Sequence, residues 1–312
     1  MAAVLITGSI AYDTVCRLGD RFENLILPEK VSALNLTFLA SSMRKSFGGC
    51  AANIAWSLKL LGGDPRILSA VGRDGDEYLR HLEEAGIDTR LIARLEDEWT
   101  AQVFITADER GNQLATFLPG AMERSAELPV PKTGIALAHI SPGTAEEMVT
   151  HAKQCLEKHI PYVFDPGQTT SQLSPEALLS LAEGAFLVCL SDYEATLFEK
   201  RTGTRITSLI SPKRTFLVTH GAEGSEFRTQ TGLIRLPAAP ATRITSTVGA
   251  GDAFRGGLLR GLSLGLSWEA CGKMGALMAT LKLEAGDPQG FRPSIAEIRD
   301  RYEAAWKEPL PC

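Results

Sequence analysis

Thirty-two Lys and Arg against 37 Asp and Glu leave this 312-residue chain with a formal charge of −5, with 44% hydrophobic and 22% charged residues. The composition is globular, neither disordered nor collagenous nor coiled-coil, and the length allows one large core or a core with a small appendage. The mild acidity argues against nucleic acid as a partner, and no stretch approaches the roughly 18–20 apolar residues of a membrane span.

The opening MAAVLITGSIAYD has no basic leader and reaches Asp13 too soon for a secretory apolar core. Residues 3–8 are read instead as a first buried strand. Six cysteines, at 16, 50, 155, 189, 271 and 312, form no CxxC pair and fit reduced thiols in a cytoplasmic chain. The five histidines follow no zinc-site spacing.

Apolar runs then alternate with helix-period segments, the pattern of βαβ units. Residues 51–62 predict a helix closed by Gly62, 65–72 a strand, and 77–85 a helix capped by Asp74 and ended by Gly86. Strands are expected at 135–141 and 162–166 around a helix at 145–159, and the alternation continues through Gly221. The fold class is therefore α/β, a doubly wound, mostly parallel sheet with helices on both faces. A site in such a sheet lies beyond the carboxyl ends of the strands. Residues 14–44 and 96–119 break the rhythm. VSALNLTFLA and TAQVFITAD alternate as half-exposed strands do. They are read as a small β lid over a large domain made of 1–13, 45–95 and 120–312, the alternative being edge strands of the main sheet. Residues 298–312 read as an exposed tail, with Trp306 as a docking point.

The chemistry concentrates in ITSTVGAGDAFRGGLLRGLSLG (244–265). Gly249, Ala250 and Gly251 are small and open a helix, so unsatisfied amides at its positive end can approach an anion closely. Asp252 follows at once. It is either a helix N-terminal charge or a base for a hydroxyl lying beside that anion. Gly48 and Gly49 open a second helix, where Asn53 offers both a donor and an acceptor; the plainer reading is close strand–helix packing. Asp13 falls just past the first strand, where a carboxylate accepts from paired sugar hydroxyls or closes an Asx turn.

GSIAYD, FGGCAANIA, SDYE, VTHGAEGS and STVGAGDAFRGG occur in this order, with the two Gly motifs about 200 residues apart. Together they resemble the ribokinase (phosphofructokinase-B) family of small-molecule kinases over nearly the whole chain. ITGSIAYD, ILPEKVSALNLTFLASSMRKSFGG, TFLPGAM and DPGQ are most similar to the adenosine and nucleoside kinases of that family.

The resemblance implies ATP as phosphoryl donor and the 5′-hydroxyl of a purine nucleoside, adenosine first and inosine or guanosine next, as acceptor. It implies Asp252 as general base and Gly249, Ala250 and Gly251 as anion hole. Asp13, Gly48, Gly49 and Asn53 would hold the ribose, Phe117 would stack on the base and Gln168 would meet the purine edge. Ser191, Glu194, Thr219, Gly221 and Gly224 would face the nucleotide, with Glu194 organising Mg²⁺ through water. A homodimer through lid residues such as Leu34, Leu36 and Phe38 is expected.

Three departures from the family pattern stand out. Ser191 replaces the first Asn of N-x-x-E, Val103 stands where a stacking aromatic can occur, and Ser246 replaces an Asp of the monovalent-cation site. The last argues against potassium activation. A sugar kinase and a nucleoside sensor without turnover are the alternatives.

Overall fold

The structure, a computed structural model, describes residues 3–27 and 35–311. In chain order the strands are β1 (Ala3–Thr7), β2 (Ala11–Leu18), β3 (Ala40–Gly48), β4 (Pro65–Gly72), β5 (Ile92–Leu95), β6 (Ala101–Ala107), β7 (Gln113–Leu118), β8 (Ile135–Ile140), β9 (Tyr162–Phe164), β10 (Leu187–Ser191), β11 (Thr215–Thr219), β12 (Ser225–Thr229) and β13 (Gly232–Leu236). The helices are α1 (Phe22–Leu25), α2 (Cys50–Leu60), α3 (Asp76–Glu84), α4 (Ala145–Glu157), α5 (Pro175–Gly184), α6 (Asp192–Thr202), α7 (Ile206–Leu209), α8 (Ala250–Ser263), α9 (Trp268–Leu283) and α10 (Ile295–Trp306).

Nine strands form the main sheet in the order β13-β12-β11-β10-β9-β8-β1-β4-β5, with parallel pairings except β11–β12 and β12–β13, which are antiparallel. Alternation along β1 explains why helices cover both faces. Val4 and Ile6 join one buried cluster with residues of α2, α8 and α9, whereas Leu5 joins another with residues of α4, α5 and α6. Chain order runs outward from β1 in both directions, through β4 and β5 on one side and through β8 to β11 on the other. The switch point between β1 and β8 leaves a crevice at their carboxyl ends, where such folds bind ligands.

A second sheet has the order β3-β2-β6-β7. Its pairs are antiparallel except β2–β6, which runs parallel and joins the two β-rich stretches of the sequence. The strand expected at 31–40 is displaced. Residues 31–34, Leu34 among them, lie outside the described residues, 35–39 have no regular structure, and the strand runs from Ala40 to Gly48. Phe38 is half-buried edge-on against Phe22, so it is not the free apolar group expected.

Two further expectations are corrected. Asp74 does not cap α3: its carboxylate accepts from the Thr100 backbone N–H (2.8 Å) and the Gln102 amide (3.1 Å), tying the start of β6 to the turn after β4. Residues 298–312 are not a free tail. Ile298 and Tyr302 of α10 are fully buried and Leu310 nearly so, because Ile298 and Tyr302 share one helical face. Among the described residues no helix is long and apolar enough to cross a membrane.

Candidate active site

The loop after β1 is fixed from below. Glu147, at the start of α4, accepts from the Gly8 N–H (3.0 Å), and Ser69 donates to the Gly8 carbonyl (2.7 Å). Ser9 Oγ accepts from the Cys50 N–H at 2.9 Å and the Ser9 carbonyl from the Ala51 N–H at 3.1 Å, so α2 starts against this loop. Gly48 and Gly49 make that approach possible. A Cβ on Gly48 would fall 2.5 Å from an Asp13 carboxylate oxygen, and one on Gly49 would fall 2.6 Å from the Ser9 carbonyl. Asp13 is half-buried, and burial raises its carboxyl to about 6, with Arg44 opposing the shift and Asp287 adding to it.

The second helix start meets the first. Gly249 caps α8 in the left-handed conformation (φ 77°), with Pro288 so close that a Cβ would come within 2.8 Å of it. Of the first amides of the helix, that of Ala250 turns back to the Thr247 carbonyl (3.2 Å), and those of Gly251 and Asp252 have no intrahelical carbonyl to bond. The Asn53 Nδ2 donates to Asp252 Oδ2 at 2.8 Å across 199 residues of sequence. Burial raises Asp252 to about 6; the Asn53 hydrogen bond opposes this, Asp165 adds to it and Arg255 opposes it. A carboxylate at this pKa is ionised at neutral pH yet basic enough to take a proton.

Beside Asp252 stands a residue that the sequence did not single out. Arg255, one turn further along α8, is buried and pairs with Asp165 after β9 through Nε (3.0 Å) and Nη2 (3.3 Å). Burial opposes both charges, but each partner overrides it: the Arg255 pKa is raised and the Asp165 carboxyl is held below its usual range. Gln289, also unanticipated, donates to Asn53 Oδ1 (2.9 Å) and to the Tyr78 hydroxyl (2.7 Å), and Tyr78 donates to the Gly48 carbonyl (2.5 Å). Its single signal in the sequence is its place in the polar DPQG turn after α9.

Gln168 is exposed after β9 and its Nε2 lies 3.9 Å from the Cys50 Sγ. The Cys50 thiol is itself pushed well up by burial and by Asp252, so it is not a thiolate. Phe117 is 52% exposed. It pairs with Val103, which pairs with Asp13, and residues opposite one another in a sheet share a face. Phe117 therefore stands on the same face as Asp13, two strand spacings or roughly 10 Å away.

Further along the crevice, Ser191 and Thr219 pair at the carboxyl ends of β10 and β11. Ser191 closes a capping box: its hydroxyl accepts from the Glu194 N–H (3.2 Å) while Glu194 Oε2 accepts from the Ser191 N–H (2.7 Å). The Ser191 hydroxyl, expected to face the nucleotide, thus caps α6, and one carboxylate oxygen of Glu194 is committed. After Thr219 the chain turns through Gly221 (φ 56°) and Gly224 (φ 96°), where a Cβ on Gly224 would strike the Leu236 carbonyl. Among the described residues no three His, Cys, Asp or Glu gather as a metal cluster.

Two helix N-termini, a raised carboxylate and a buried Arg–Asp pair therefore meet at the switch point of a doubly wound sheet. Comparison with known proteins shows the family. The model of the "pfkB family carbohydrate kinase" matches residues 14–294. A nucleoside kinase of Methanocaldococcus jannaschii is 31% identical over 277 residues, covering 88% of this chain and 91% of that protein. The structure of a Burkholderia thailandensis nucleoside kinase in complex with inosine has a TM-score of 0.89 at 35% identity, covering 98% of this chain and 99% of that one. The same enzyme in complex with ADP-inosine gives 0.85 at 37% identity, covering 98% and 97%. The chain belongs to the pfkB family of carbohydrate kinases. It is a kinase, a phosphotransferase of the ribokinase fold.

Proposed function

We propose that this kinase transfers the γ-phosphoryl of ATP to the 5′-hydroxyl of a purine nucleoside, adenosine or inosine. The observation that carries the reading is the Asn53–Asp252 hydrogen bond, which joins the candidate sugar-binding helix to the candidate base. In this reading Asp13, Gly48, Gly49 and Asn53 hold the ribose, and Asp252 takes the proton of the hydroxyl directed at it. Gly249 and Gly251 present amides to the transferred group, the electrostatic stabilisation that phosphoryl transfer most needs, whereas the Ala250 N–H already donates to the Thr247 carbonyl (3.2 Å) and would have to leave it to join them. Arg255, locked on Asp165, adds positive charge behind them.

A nucleoside rather than a free sugar is supported by the exposed Phe117 ring on the Asp13 face and by the Gln168 amide beside Cys50. It is also supported by the similarity to nucleoside kinases, one of them solved with inosine. Ser191, Thr219, Gly221 and Gly224 would border the nucleotide. Glu194 keeps one oxygen outside its capping box, which fits magnesium held through water and the nucleotide phosphates. When bound, the ion would neutralise phosphate charge.

The second sheet, with 14–44 and 96–119 as its proposed bounds, is read as the lid. Its face away from Asp13 exposes Met43, Phe104, Leu114 and Leu118, an apolar surface suited to a second copy of the chain. A dimer mass in light scattering at micromolar concentration supports that pairing; a monomer mass opposes it. The substrate is tested by a panel of nucleosides and free sugars with ATP and magnesium. Preferential turnover of adenosine and inosine supports the reading, and preferential turnover of ribose or fructose overturns it.

A further inference from the structure

The loop that leads into Gly249 is held by the end of α9. Thr245 donates its N–H to the Leu283 carbonyl (2.7 Å) and its hydroxyl to the Glu284 carbonyl (3.0 Å), and Arg243 Nε donates to the same Glu284 carbonyl (3.2 Å). One further tie is a buried ammonium. Lys282, in the last turn of α9, is fully buried, and its Nζ donates to the carbonyls of Ser246 (3.0 Å) and Ala285 (3.5 Å). No carboxylate lies within salt-bridge distance of it among the described residues. Burying an ammonium is costly unless its donors are satisfied, so these carbonyls are its principal compensation. Burial lowers its pKa, while Asp287 raises it.

A monovalent cation, which the fold family implies, does not fit this place. Its expected carboxylate is Ser246, the Ser246 carbonyl is taken by Lys282, and an added ion would stand against a fixed positive charge. We infer that Lys282 is a resident cation, a positioning residue that fixes the loop before Gly249 without an added monovalent ion. The segment just beyond it makes the placement matter. Pro288 packs on Gly249, Gln289 holds Asn53, and Asp287 pairs with Arg44 of the second sheet at 2.7 Å. One short connector thus sets the anion hole and the sugar-binding Asn together, with the ammonium at its root.

The inference rests on the site assignment above, so its test includes a readout free of turnover. Wild-type protein is compared in potassium chloride and in tetramethylammonium chloride at equal ionic strength. We expect kcat to agree within about twofold and Tm to be the same. Lys282→Met should lower kcat by on the order of tenfold to a hundredfold, short of removing a direct anion-hole donor. Lys282→Ala leaves room for an ion. Its Tm should rise in potassium or methylammonium chloride relative to tetramethylammonium, and part of its kcat should return.

Selective potassium stimulation of wild type with a matching rise in Tm would overturn the inference, as would a Lys282→Met enzyme with wild-type kcat. The wild-type comparison decides in either direction should a variant not fold. Because the Tm arm needs no chemistry, failure of the base assignment at Asp252 would be seen separately.

Discussion

Asn53 and Asp252 lie 199 residues apart in sequence and 2.8 Å apart in space. The bond fixes both side chains, and Gln289 orients Asn53 from the other side by donating to its Oδ1. An asparagine held in this way must direct its amide N–H toward the carboxylate. Gln289→Leu removes the donor from a buried acceptor, a loss of about 1–3 kcal/mol. The expected result is a fall of roughly 5–150-fold in kcat/KM for the nucleoside, measured with ATP saturating. An unchanged value would detach Gln289 from the site.

Asp13 and Asp252 are both raised to about 6, chiefly by burial. In their proposed roles, both must be ionised for the free enzyme to bind the ribose of a nucleoside and accept its proton. The acid limb of log kcat/KM should therefore bend near pH 6 and steepen toward a slope of two. The limb of log kcat, where bound hydroxyls already stabilise Asp13, should approach one. A pH–rate profile flat from 7 to 5 would contradict this.

Phe117 is half-exposed on the face that carries Asp13. Stacking on a base is worth about 1–3 kcal/mol. Phe117→Ala should raise KM for inosine and adenosine by roughly 5–150-fold and leave any residual turnover of ribose little changed. Equal effects on nucleoside and ribose would make Phe117 a packing residue only.

Glu147 is fully buried under the Gly8 loop, and burial raises its carboxyl to about 8 against the two backbone N–H groups that favour its charge. The fold prefers its neutral form. The stability this preference adds is fully present below the unfolded pKa near 4.5 and is lost as pH rises through about 8. Its magnitude is on the order of a few kcal/mol. Denaturant titrations at pH 6 and pH 9 should show that decline in wild type and a flatter curve in Glu147→Gln.

Much of the fold was legible because β1, β4, β8, β10 and β11 are short apolar runs between helix-period segments, and burial on both faces leaves that trace. The strand expected at 31–40 was misplaced because ASSMRKSFG, which forms β3, is mostly exposed and carries little apolar alternation. Local capping was misassigned where a longer-range partner won, as when Asp74 turned to Thr100. Asp13, Asn53, Asp252 and the Gly loops, which the structure brings together, were singled out by spacing and resemblance. Arg255, Gln289 and Lys282 were not, since each acts through contacts 36 to 236 residues away that no local pattern encodes.

The base assignment is tested most directly by Asp252→Asn, with inosine affinity measured by calorimetry and turnover measured with ATP and magnesium. Asn keeps an acceptor for Asn53 and removes a carboxylate that the fold prefers neutral, so Tm at pH 7 should not fall. Inosine affinity should stay near wild type while kcat falls by about 10²–10⁴-fold. A folded variant that binds inosine and turns over at close to the wild-type rate would contradict it.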